Sequence, residues 1–165
     1  MNLNIEMFSV LKKLITEDPL NFDLTTVVRP TACGTVGCLA GHLAVHEKGD
    51  AEKVWQMYRK DQQAGWHTIQ EIAMSSLGIK RQGLAKKIFF LEHWAEPFKS
   101  QYKEKSDELS RLESYFIVRI ELTLRTSDAE TKKQCEEMKA RILKIKQEMV
   151  QVTCDRLDYF VANGV

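Results

Sequence analysis

Apolar residues recur at helical spacing through nearly the whole chain. Near the start Ile5, Phe8, Leu11 and Ile15 line one face of a helix that Pro19 must end. The stretch Asn21–Pro30 reads as extended or irregular, because Thr25, Thr26, Val27 and Val28 are β-branched and Pro30 disfavours helix at Arg29. A compact helix is then predicted from about Thr35 to His46, stopping before Gly49. Asp50 suits the N-cap of the next helix, which buries Val54, Trp55 and Tyr58. Thr68 suits a cap for a helix carrying Ile69, Ile72, Ala73 and Leu77, with Gly78 as its stop. Leu84, Ile88 and Leu91 mark another helix beside the aromatic group Phe89, Phe90, Trp94 and Phe98.

Beyond Pro97 the pattern changes. Glycine and proline vanish from the interior, which permits long helices. Pro97 fits the first turn of a helix reaching about Arg125, and Ser127–Glu130 spells the S-x-x-E capping box of a second. On the second helix Cys135, Met138, Ile142, Ile145, Met149 and Val152 alternate steps of three and four, an a/d seam. On the first, Leu109, Leu112 and Phe116 give way to Ile120 and Leu124, a shift that favours a packed hairpin over a long supercoil. The fold expected is all-α, with an N-terminal multi-helix domain (1–97) followed by a long antiparallel helical hairpin (98–165).

Composition narrows the function. The 165 residues carry 24 Lys and Arg against 23 Asp and Glu, a net charge of +1, which argues against a strongly basic nucleic-acid coat. No apolar run approaches the roughly 20 residues of a membrane span. Charged side chains at Glu6, Lys12, Lys13, Glu17 and Asp18 do not suit a secretory signal, so the expectation is a cytoplasmic protein whose four cysteines are reduced.

Three regions could carry chemistry. Cys33, Cys38, His42 and His46 are zinc-type ligands within fourteen residues. On one continuous helix Cys38 and His46 stand about 12 Å apart along the axis, too far to share an ion unless Gly41 breaks the helix. The preferred reading is therefore close packing by small residues, with no cofactor. His42–His46 is an H-x-x-x-H pair, but Leu43 stands where a metalloprotease needs Glu. A Cys38 nucleophile lacks an orienting group, and no serine elbow or phosphate loop is present, so no enzyme is expected. The second region, Thr68–Ile88, echoes a helix-turn-helix with its register off by one. Lys80, Arg81, Lys86 and Lys87 there could meet phosphates, which makes nucleic acid an alternative partner. The third is the hairpin, where Tyr102, Tyr115 and Tyr159, with Phe116 and Phe160, add aromatic area for a protein partner or a homodimer.

Phe22-Asp23-Leu24, Cys33-Gly34-Thr35-Val36-Gly37-Cys38-Leu39-Ala40-Gly41-His42 and Leu77-Gly78-Ile79, with Ile88-Phe89 and Trp94, fall in a familiar order. Residues 20–98 thereby resemble a group of small, largely uncharacterised bacterial and phage proteins with a C-G-T-x-x-C-[IL]-A-G-[HW] motif. The resemblance implies a small cytoplasmic, phage-borne protein and carries no activity. Trp can replace His42 in that pattern, which counts against an obligatory metal ligand. The expected function is a non-enzymatic protein-interaction module, in a phage setting an inhibitor of a host defence or regulatory complex. Nucleic-acid binding through 80–87 and a zinc module are the alternatives.

Overall fold

The structure is a computed structural model that describes residues 3–31, 34–126 and 129–164, without the side chains of 121–126. Among the described residues the fold is all-α apart from one two-stranded antiparallel sheet. Helix α1 (Ile5–Glu17) is capped by Asn4, whose side-chain oxygen accepts from the Met7 amide at 3.2 Å. It buries Phe8, Leu11 and Ile15 as the periodicity requires. A 3-10 turn (Pro19–Asn21) leads to strands β1 (Val28–Thr31) and β2 (Gly34–Gly37), which pair antiparallel with Arg29 opposite Val36.

Here the sequence expectation needs correcting. Thr35–Gly37 are strand, not the first turn of a helix, because β-branched Thr35 and Val36 pair with Arg29 and Pro30, and glycines flank them. Helix α2 (Leu39–Lys48) begins only after Cys38, whose amide donates to Thr26 O at 2.6 Å. It ends at Gly49, in the left-handed region at φ 65°.

Helix α3 (Ala51–Lys60) starts on Asp50 as expected and buries Val54, with Trp55 and Tyr58 half-buried. Helix α4 (Gln62–Ser76) starts earlier than the sequence suggested. Asp61 is its cap, accepting from the Gln63 and Ala64 amides, while the Thr68 hydroxyl donates within the helix to Ala64 O. Gly78, at φ 69°, ends it, and the Ile79 amide closes back on Met74 O at 2.8 Å. Helix α5 (Gln82–Phe89) and a 3-10 turn (Leu91–His93) complete this part.

Helices α6 (Phe98–Thr126) and α7 (Ala129–Asn163) form the hairpin. Ser127 and Asp128 of the expected capping box lie outside the described residues, as does the side chain of Leu124. At its base the hairpin is built into the rest. Phe160 stacks on Phe8 with centroids 6.1 Å apart, and Lys12 pairs with Asp158 at 2.6 Å. The Lys146 ammonium donates to Phe22 O at 3.1 Å, and buried Arg156 donates to Lys87 O at 2.9 Å, at the C-terminal end of α5. One apolar core therefore runs from α1 through α2 and α4 to α7. Among the described residues no helix is long and apolar enough to cross a membrane.

Candidate interaction surface

The Cys/His segment is occupied with holding the fold. Cys38 is buried at the start of α2, its Sγ 3.6 Å from Val27 O, and burial pushes the thiol up from its ordinary value. A protonated, inaccessible thiol is a poor nucleophile and a poor metal ligand. His42 rests its ring near Phe22 and places Nε2 3.4 Å from Asn21 O, and burial holds it below the usual imidazole range. His46, one turn further along, is exposed. Cys33 lies outside the described residues. Among those described, no three His, Cys, Asp or Glu side chains gather as a metal set.

The small residues of the motif have a steric explanation. A Cβ added at Gly41 would lie 1.8 Å from Val27 O, so only glycine lets α2 touch the segment entering β1. Ala40 is fully buried one residue earlier. The motif shapes a helix–strand contact.

The basic segment is open but dispersed. Lys80, Arg81 and Lys86 are exposed and Lys87 is half-buried, and among the described residues none of the four forms an ion pair. Lys86 and Lys87 belong to the last turn of α5, where positive charge complements the helix dipole. The connection Leu77–Arg81 is five residues long, more than the three or four of a helix-turn-helix, and α5 spans only eight residues.

Of the hairpin tyrosines, Tyr102 is not available to a partner. It is 3 % exposed, meets Trp94 edge-on at 5.5 Å, and burial raises its phenol far above the ordinary value. Tyr159 is partly exposed but leans on Phe98 at 5.5 Å. Tyr115 stands out in solvent with its hydroxyl accepting from the Arg119 guanidinium at 2.7 Å.

Tyr115 opens a stretch that composition alone did not single out. Tyr115, Ile117, Val118 and Ile120 are 52, 60, 56 and 37 % exposed, four of the eight large apolar side chains left exposed among the described residues. Two helices bury one stripe of each other, so apolar residues around the remaining circumference stay wet. The run Tyr-Phe-Ile-Val, apolar at four consecutive positions on one helix, is the signal that could have found it.

On one flank of the hairpin, a cavity of about 440 Å³ separates α6 and α7 from the β-hairpin. Leu109, Ile142, Met149 and Val36 give it an apolar floor; Arg29, Glu113 and Lys146 bring charge to its walls. Asp23 lines it too. Burial alone would raise its carboxyl, but hydrogen bonds from Thr25 and Thr26, with Lys146 nearby, outweigh this and lower it. Leu20, exposed at its edge, and Ile117, one helical step beyond Glu113, extend the apolar surface toward the tip. Comparison with protein-family models, with the curated proteins and with the solved structures finds no match to this chain.

Proposed function

We propose that the protein is a non-enzymatic protein-interaction module whose working surface is the outer half of the helical hairpin. The observation carrying this reading is the exposed apolar side chains of Tyr115, Ile117, Val118 and Ile120 on a helix otherwise well supplied with charge. Such a surface costs solubility unless a partner covers it, and at the end of a projecting hairpin it is open to approach. The resemblance of residues 20–98 to small bacterial and phage proteins supports a setting in the bacterial cytoplasm, where the partner is a host defence or regulatory complex that binding inhibits.

The test is affinity capture from bacterial lysate with the wild-type chain beside Ile117→Asp/Val118→Asp. The expected result is a protein retained by the wild type and by an Ile5→Asp control but lost with the double variant. Equal retention by all three would refute the reading. A second reading, nucleic-acid binding, is favoured only by the open side chains of Lys80, Arg81 and Lys86. It predicts salt-sensitive retention on DNA or RNA that Lys80→Glu/Arg81→Glu abolishes.

A further inference from the structure

Three walls meet at the cavity of about 440 Å³ between α6, α7 and the two-stranded sheet. On α6, Tyr102, Ser106, Leu109, Ser110 and Glu113 share one stripe by their spacing, and on α7 Ile142, Lys146 and Met149 do the same. The antiparallel register sets Arg29 opposite Val36. Directly opposed residues leave the same face of a sheet, so both meet the cavity. A space of this size, with an apolar floor and a few polar groups converging on it, suits a small molecule.

The polar groups around it fall into two sets. One is satisfied within the chain. Both carboxylate oxygens of Asp23 accept from hydroxyls, Thr25 at 2.8 Å and Thr26 at 2.7 Å, and Lys146 lies near that charge while donating to Phe22 O. The other set is uncommitted. Arg29 and Glu113 are exposed, and among the described residues neither side chain makes an ion pair or a hydrogen bond. Ser106 is half-buried, yet its hydroxyl donates to nothing among the described residues, whereas Ser110 and Ser114 on the same helix each close back on the carbonyl four residues earlier.

The cavity therefore offers one free cation, one free anion and one free hydroxyl around Leu109, Ile142, Val36 and Met149. A ligand of a single charge would satisfy one of Arg29 and Glu113 and face the other as a like charge. A zwitterion with an apolar body answers both. We propose that this cavity binds a short free peptide with apolar side chains, its carboxylate on Arg29, its ammonium on Glu113 and a backbone carbonyl on the Ser106 hydroxyl. A single amino acid has the same chemistry but would leave most of the space empty. Neither Ile117 nor Val118 lines the cavity, so this inference does not rest on the partner surface.

Titration of the full-length, nitrogen-15-labelled chain, followed by amide chemical shifts near pH 7 where both peptide ends are charged, tests it. The probes are the tripeptide Ala-Leu-Ala, its N-acetyl form, its C-terminal amide, and free leucine. The free tripeptide should give saturable shifts at Val36, Leu109 and Ile142, and leucine should bind more weakly. Each cap should weaken binding about three- to five-fold, the upper range for an exposed ion pair. Acetylation should cost nothing further in Glu113→Gln, nor amidation in Arg29→Gln, while each variant stays sensitive to the other cap. Ser106→Ala should weaken all three tripeptides by a common factor. Both charge variants change exposed side chains, and their spectra report directly that they are folded. Ile117→Asp/Val118→Asp should bind the tripeptide as the wild type does, so the two surfaces fail or succeed separately. No saturable shift with the free tripeptide, shifts centred outside the cavity, leucine binding as tightly, cap effects that persist in both charge variants, or dependence on the carboxylate and Arg29 alone would overturn the proposal.

Discussion

Gly41 in α2 and Gly83 in α5 show how differently one residue type can act inside a helix. At Gly41 a methyl group would penetrate the Val27 carbonyl, and backbone cannot step aside as a side chain can. Gly41→Ala should therefore lower stability by more than the roughly 3 kcal/mol at which overpacking effects usually end, read as a large fall in thermal midpoint or loss of folded protein. Gly83 lies within α5 with nothing within 4 Å of an added Cβ, so Gly83→Ala should raise stability by about 0.5–1 kcal/mol. His42 supplies a pH dependence. Burial lowers its folded value from 6.5, so the unfolded chain binds the proton more readily. Its contribution is present above the unfolded value and is lost as pH falls from there through the folded one. Urea titrations should show stability declining on acidification below about pH 6.5, and His42→Gln should flatten that slope. If the two slopes match, His42 is not the cause.

Among the elements, α7 does two jobs. Its C-terminal half buries Ile145, Met149, Val150, Cys154, Leu157 and Phe160 in the common core, whereas before Ile142 it buries only Cys135 among the described residues. Local opening follows buried contact, so amide exchange should be slow over residues 145–160 and markedly faster over 131–142 and 112–120. Uniform protection along α7 would contradict this division. Phe160→Ala removes a ring that is fully buried against Phe8 and should cost about 3–5 kcal/mol, measurable by chemical denaturation.

At the scale of the molecule, the core and the exposed tip are separable. Ile117→Asp/Val118→Asp touches side chains already in water, so it should leave the thermal midpoint within the change expected of surface positions, about 0.5 kcal/mol. A large loss of stability in that variant would mean that the run packs inside the chain.

The sequence by itself determined the helices, because three- and four-residue spacing of apolar side chains demands a buried face. α1, the stops at Gly49 and Gly78, the Asp50 cap, and the α6–α7 pair were all legible this way. Local signals misled where two were in competition. Thr68 looks like a cap, but Asp61 reached the free amides first; Thr35 looks like a helix start, but strand pairing with Pro30 claimed it. Only the tertiary structure decided what each apolar residue faces. Tyr102 and Tyr115 are alike in sequence, yet one is enclosed by Trp94 while the other is open to solvent. At the segment holding Cys33, Cys38, His42 and His46 the spacing already favoured close packing over a ligand set, but only the structure shows what is packed against, the approach of Cys38 and Gly41 to Val27. Periodicity records which side of a helix avoids water; what covers that side is set by segments distant in the chain, and spacing carries no record of them.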